Sequence, residues 1–252
     1  MKMIEQKTLA EIVIENPSAA KLFEEVHLDF CCKGKRTLEA ACKEAKLDVG
    51  TIRYELEERD YLKKSEAIDH NFNTMELDIL VDYIIKKHHA YVIENMPMIL
   101  SHLRKVAFKH GEKHPETIQI ALKFEEVSNE LESHMRKEEL ILFPYINKLV
   151  RVKNNYETTA FVNSFIENPI KVMEHEHETV GNLMFDILKL SNDFTPPSNA
   201  CTTYKLSYNE LREFLEDLHQ HIHLENNILF PKAATLEDEL IAGLIVSTVA
   251  GV

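Results

Sequence analysis

Helix breakers are scarce in this chain of 252 residues, which holds only six glycines and eight prolines. So few interruptions leave little room for a turn-dense architecture and point to long helices. Positive charge is also short: 29 Lys and Arg face 42 Asp and Glu, a formal net charge of −13. That balance disfavours nucleic acid or an anionic membrane as a partner and suits the handling of cations. Long apolar runs are missing too. Glu5 and Glu11 interrupt the N-terminus before any signal-peptide core develops, so a cytoplasmic protein is expected. The apolar tail from Leu240 to Val252 spans about thirteen residues, short for a bilayer of about 30 Å. It is expected to pack on the rest of the chain or on a second subunit, which leaves a homodimer open.

What is present is helical periodicity. Ile85, His89, Val92, Met96, Ile99 and Leu103 recur at the spacing of one helix face. The apolar share of 44% and charged share of 28% are ordinary for a globular protein, and the length suits one large or two small domains. The chain divides in the polar stretch between Lys63 and Asn73. Before it, Thr8 with Glu11 forms a capping-box pattern, while Pro17, Thr37 and Asp48 can each open a further helix. Residues 1–62 therefore read as a small helical domain. Four long helices are expected after it, at about 75–108, 115–149, 157–193 and 203–232, separated by Gly111 with Pro115, Asn154 with Asn155, and Thr195-Pro196-Pro197. They make an all-α four-helix bundle over 74–235, with 236–252 as an apolar tail. Pro144 and Pro231 mark positions where a helix should kink or end.

The bundle carries a repeat. His134, Glu138, Leu142, Phe143 and Pro144 recur as His221, Glu225, Leu229, Phe230 and Pro231, at an offset of 87 residues. Upstream, His89, Val92, Met96 and Ile99 recur as His177, Val180, Met184 and Ile187, at an offset of 88. The unit is a helical hairpin occurring twice, its first helix bearing one His and its second His-x-x-x-Glu. Acidic residues fill 42 of 252 positions, so one such pair would mean little; two in matched apolar frames mean more. A His and a Glu four residues apart share a helical face about 6 Å apart along the axis, so two such helices can aim at one point. The candidate ligands are His89, His134, Glu138, His177, His221 and Glu225.

Four imidazoles and two carboxylates without a thiolate suit iron, manganese or zinc, and two ions sharing carboxylates is a known use of helical bundles. Iron fits best. Glu138 and Glu225 can each span two ions, and six side chains leave room for an oxo or hydroxo bridge and an exchangeable position. The repeat frame selects His89 over His88 and His177 over His175, which places His88 and His175 on the surface or behind the ligands. His219 and His223 lie about 200° round the helix from His221 and should point away from its site. His110 reads as an ordinary structural histidine.

Cys31 and Cys32 are a second candidate site. Lys33, Lys35 and Arg36 stand beside them and should favour thiolates. An adjacent pair closes an internal disulfide only with strain, so metal, nitric oxide or exchange chemistry suits it better. Two inert thiols are the competing reading, and Cys42 and Cys201 read as isolated and structural.

The segment Asp29-Phe30-Cys31-Cys32-Lys33-Gly34-Lys35, the motif from His134 to Pro144, the motif from His221 to Pro231, and Ala200-Cys201-Thr202-Thr203 after Thr195-Pro196-Pro197 together resemble the repair of iron centres family. The likeness extends to about residue 235, and Lys33 departs from the small residue expected after the cysteine pair. It implies a hemerythrin-like bundle with an N-terminal cysteine-pair domain, and a cytoplasmic protein that restores iron-sulfur clusters damaged by nitric oxide or peroxide by supplying iron from a labile di-iron centre. Its ligand pattern falls on the same six residues; damaged iron-sulfur proteins are the implied partners and nitric oxide or oxygen the implied small ligands. Two other classes stay open: a di-iron nitric oxide or oxygen reductase, with Cys31 and Cys32 relaying electrons, and an oxygen-binding or sensing hemerythrin, for which the cysteine domain has no use. A ferritin-like oxidase needs paired Glu-x-x-His motifs, and Glu174/His177 and Glu216/His219 cannot both face one centre if His221 does.

Overall fold

The computed structural model describes residues 3–63, 72–156 and 165–249, apart from the side chains of 59–63 and 244–249. The chain forms two units, one of Met1–Glu76 with His219–Pro231 and one of Leu77–Leu218 with Lys232–Val252.

In the first unit, short helices start where their caps dictate. Helix α1 (Leu9–Glu15) follows Thr8, whose hydroxyl accepts from Glu11 N at 3.1 Å while Glu11 Oε2 accepts from Thr8 N at 2.7 Å. Helix α2 (Ala19–Glu25) opens after Ser18, whose N–H donates to Asn16 Oδ1 at 3.1 Å, so Asn16 rather than Pro17 organises that entry. Thr37 caps α3 (Leu38–Ala45), and Asp48 accepts from Thr51 N at 2.8 Å at the start of α4 (Val49–Lys63). Leu9 N donates to Arg36 O and Leu38 N to Lys7 O, which draws the starts of α1 and α3 together. Leu9, Phe23, Phe30, Leu38 and Leu56 are buried in the resulting core.

The second unit is built from rods. Helix α5 (Leu77–Ile84) runs through a π-helical turn, Ile85–His89, into α6 (Ala90–His110). Helix α7 (Glu116–Lys137) likewise passes through Glu138–Leu142 into α8 (Phe143–Lys153). Then come α9 (Glu167–Leu190) and α10 (Thr202–Leu224), the latter followed by a third π-helical turn, Glu225–Leu229, and α11 (Phe230–Val249). The expected third helix began at 157; residues 157–164 lie outside the described residues.

Each rod buries one stripe: Val92, Met96, Ile99 and Leu103 on α6, Ile120, Phe124, Val127 and Leu131 on α7, Met173, Val180, Met184 and Ile187 on α9, and Tyr204, Leu211, Phe214 and Leu218 on α10. Phe124 meets Phe214 edge-on at 5.2 Å between centroids, an arrangement that aromatic quadrupoles favour. These stripes are the all-α bundle read from the periodicity.

The helix does not stop at Pro231. Proline lacks an N–H, but each of Pro144 and Pro231 follows a widened turn that has already shifted the bonding register, so neither is an obstacle. The tail expected from 236 is thus the continuation of α11. Its first turn belongs to the second unit, where Glu237 is fully buried and accepts from Phe165 N at 2.9 Å, Ile166 N at 3.3 Å and the Tyr145 hydroxyl. Among the described residues no helix is long and apolar enough to cross a membrane.

Candidate metal centre

In the second unit, His89 closes the first π-helical turn, His134 lies in the last turn of α7, Glu138 opens the second π-helical turn, and His177 lies within α9. All four are at most 1% exposed. Glu138 Oε2 stands 3.3 Å from His89 Nε2 and 3.4 Å from His134 Nε2, and His134 Nε2 stands 2.9 Å from His177 Nε2. One carboxylate oxygen therefore faces two imidazoles at once. A widened turn re-aims the side chains at its ends, and such turns are frequent at functional sites.

The backs of the rings decide what their fronts can do. His89 Nδ1 lies 2.8 Å from Glu139 Oε1, and His134 Nδ1 lies 3.0 Å from Glu176 Oε2. A carboxylate behind Nδ1 holds the proton there, which leaves the Nε2 lone pair directed at Glu138. This carboxylate–imidazole arrangement is the one that orients metal-bound histidines and raises their basicity. Hydrogen bonding from His134, and then from Lys137, holds the Glu176 carboxyl down at about 2 against the opposing effect of burial. Glu176 is thus an anion throughout the ordinary pH range. Three converging imidazoles plus a buried carboxylate, with His89 and His134 each backed by an acid, fit a first-row transition metal ion.

In the first unit, His221 and Glu225 repeat the His134 and Glu138 arrangement. His221 Nε2 lies 2.9 Å from Glu225 Oε1, both residues are buried, and Glu225 opens a π-helical turn as Glu138 does. Along α10 the buried positions Leu211, Phe214, Leu218, His221 and Glu225 follow a spacing of three and four, so the pair continues one helix face. The repeat thus extends to local structure in its second halves. Its first halves differ, because His89 ends a π-helical turn and His177 sits in regular helix.

Other histidines fall as follows. His88 is buried rather than superficial; its Nδ1 lies 3.0 Å from Asp217 Oδ1 and its ring meets Tyr83 edge-on. His175 is exposed. His219 and His223 lie edge-on to Phe30, at 5.9 and 5.6 Å between centroids. Burial pushes the His223 imidazole down to about 4. His110 Nε2 lies 3.2 Å from Cys201 Sγ, so Cys201 is not isolated. Sequence reasoning passed over Glu139 and Glu176, although each directly adjoins a candidate ligand in the chain.

Cys31 and Cys32 lie in a loop of the first unit, with their sulfurs 3.9 Å apart, both as free thiols. Asp29 Oδ1 accepts from the N–H groups of Cys31 at 3.1 Å, Cys32 at 2.9 Å and Lys33 at 3.3 Å, and lies 3.3 Å from Cys31 Sγ. Here the expected electropositive setting is corrected. Lys33 and Lys35 are exposed and Arg36 pairs with Glu44, while the group 3.3 Å from the Cys31 sulfur is the Asp29 carboxylate. Hydrogen bonding with Cys32, burial and the Asp29 charge together push the Cys31 thiol well above its usual value.

Residues 80–233 match the family model described as the hemerythrin HHE cation binding domain, and residues 5–60 match one described as a domain of unknown function, DUF542. Similar curated proteins include the iron-sulfur cluster repair protein YtfE of Musicola paradisiaca, 36% identical over 90% of this chain and 96% of that protein. The protein of the same name from an Enterobacter species is 37% identical over 89% of this chain and 95% of its own. A probable iron-sulfur cluster repair protein of Haemophilus influenzae is 36% identical over 90% and 96%.

Proposed function

Because the chain belongs to the hemerythrin-like family of iron-sulfur cluster repair proteins, we propose that it restores damaged clusters by giving up iron from a pair of ions held in its bundle. The observation that carries this reading is Glu138, whose Oε2 is shared between His89 Nε2 at 3.3 Å and His134 Nε2 at 3.4 Å, with Glu139 and Glu176 behind the two rings. His89, His134, Glu138 and His177 supply one part of the ligand set. His221 and Glu225 supply the other, on the strength of their repeated spacing and their matching π-helical turn. Iron would be the cargo, two ions per chain, with Glu138 and Glu225 as the carboxylates that would serve both.

The chain's own residues set how tightly that cargo is held. Neutral imidazoles and shared carboxylates contain no thiolate to lock a ferrous ion in place. Reduction would weaken the hold, because carboxylate oxygens bind a ferrous ion less strongly than a ferric one. Meanwhile Glu139 and Glu176 keep the proton on Nδ1, so a ring that loses its ion keeps its orientation and can take another. Damaged iron-sulfur proteins are the proposed partners, and the cytoplasm is the proposed location.

The test uses protein purified without oxygen. Metal analysis should give two irons per chain, and a ferrous chelator should strip the reduced form much faster than the oxidised form. An enzyme lacking its cluster should regain activity from the reduced protein without added iron. Retention of both irons through reduction, chelation and repeated exposure to nitric oxide would overturn the donor reading in favour of reductase chemistry.

A further inference from the structure

We propose that Asp29, Cys31 and Cys32 form a second cation site, one that takes a borderline-to-soft divalent ion through two thiolates and one carboxylate. Their ligand atoms all lie within 4.8 Å of one another. Two sulfurs bound at about 2.3 Å to one tetrahedral ion stand about 3.8 Å apart. The sulfurs of Cys31 and Cys32 stand 3.9 Å apart, so an ion fits between them with almost no movement.

The loop is held in this form before any ion arrives. Asp29 Oδ1 gathers three consecutive N–H groups, which fixes the backbone of both cysteines. Gly34 closes the loop against Phe30, where a Cβ would come within 2.2 Å of the carbonyl oxygen, so only glycine fits. From the same unit, Asn227 Nδ2 donates to Phe30 O at 3.2 Å and Cys31 O at 3.4 Å, and Asn226 Nδ2 to Cys31 O at 3.5 Å. Pre-organisation of this kind removes ordering cost from binding. Cys31 is buried while Asp29 and Cys32 are partly exposed, so the site is open on one side. Three protein ligands with an open fourth position is the pattern of a site that can take a further ligand, unlike a closed structural one.

Binding is an exchange of protons for metal: two thiol protons leave to solvent, the ion gains two metal–sulfur bonds and one metal–oxygen bond, and no electrons move. Thiolate donors prefer divalent zinc, cadmium or ferrous ions over magnesium or calcium. That the ion in the cell is ferrous iron on its way to a cluster rests on the repair reading above; the site itself does not.

Cadmium tests the site in the full chain with its bundle already loaded with iron and its thiols reduced. Titration should produce a sulfur-to-cadmium charge-transfer band that saturates at one ion per chain. Cys31→Ser and Cys32→Ser should each abolish the band. Asp29→Asn should weaken binding by about tenfold or more, because the introduced amide oxygen still accepts the loop N–H groups but brings no charge. An unchanged urea midpoint would show that the Asp29→Asn loop remains folded. The proposal fails if the parent gives no band, if the band survives the double cysteine change and so belongs to Cys42 or Cys201, or if Asp29→Asn binds cadmium as tightly as the parent. No cluster enzyme is present, so cadmium binding at these residues alongside absent repair would support the site and count against the donor reading alone.

Discussion

Glu138→Ala separates a metal ligand from an ordinary buried ion pair, because the two readings predict different dependence on metal. As a plain partner of His89 and His134, Glu138 would stabilise the protein with or without metal, and its loss would cost about 3–5 kcal/mol in both states. As a ligand it adds a term present only when metal is bound. At a free-ion concentration of one hundred times Kd, each bound ion stabilises the fold by about 2.7 kcal/mol. Glu138 Oε2 faces His89 Nε2 at 3.3 Å and His134 Nε2 at 3.4 Å, so its removal should release both ions. The variant should therefore lose about 5 kcal/mol more in the loaded state than in the metal-free state. At about 2–4 °C per kcal/mol for a chain of this size, the two losses in Tm should differ by about 10–20 °C. The chain has no tryptophan, so helical circular dichroism is the right signal for thermal melts of chelated and loaded samples. Equal losses in both states would refute the ligand assignment, and a difference near 2.7 kcal/mol with one iron retained would refute the bridge.

Glu176→Gln should lower metal affinity by about 10- to 100-fold, read by chelator competition, since His134 would lose the anion behind Nδ1. His88→Ala should leave metal content unchanged while costing about 1–3 kcal/mol in urea unfolding, because it strands Asp217. Glu237→Ala should cost about 3–5 kcal/mol by depriving the Phe165 and Ile166 N–H groups and the Tyr145 hydroxyl of their acceptor, whereas Glu237→Gln should recover much of it. His223 carries a pH signature. Its folded value of about 4 lies below the unfolded 6.5, so the unfolded chain takes the proton first; stability is present in full above 6.5 and lost as pH falls towards 4. His223→Leu should flatten that decline in metal-free protein, measured by urea midpoints at pH 7.5 and 5; an equally steep decline would refute the burial argument.

The bundle was legible because its message is written twice. Buried stripes at a spacing of three and four define α6, α7, α9 and α10, and the recurrence of Leu-Phe-Pro after each His-x-x-x-Glu picked out which His and Glu belong to them. The three π-helical turns among the described residues were not legible as such, since the apolar spacing on either side of each turn stays helical; Pro144 and Pro231 stand just after two of them but read more simply as helix ends, and no proline marks Ile85–His89. His88 escaped because its partner, Asp217, is 129 residues away. Glu139 and Glu176 escaped for the opposite reason: they adjoin ligands, but acidic residues are too common here for one more to stand out. At the cysteines the sequence showed Lys33, Lys35 and Arg36, yet the backbone turn brings Asp29 to the sulfur and sends the cations outward. Proximity in sequence gave the wrong sign of charge because a tight turn, unlike a helix, has no fixed face.

The donor types divide between the two proposed sites in a way that bears on direction of transfer. Imidazole and carboxylate oxygen hold a ferrous ion loosely, thiolate holds it more firmly, and the sulfide and thiolate of a cluster more firmly again. On the proposed reading, a ferrous ion moving from nitrogen and oxygen donors through Cys31 and Cys32 to a sulfur-rich client would descend in free energy at each step, and once the ion is ferrous the moves themselves change no oxidation state. Within the first unit, one proposed ligand directly precedes the side chains that hold the thiol loop. Asn226 and Asn227, which hold the carbonyls of Phe30 and Cys31, directly follow Glu225 in the third π-helical turn.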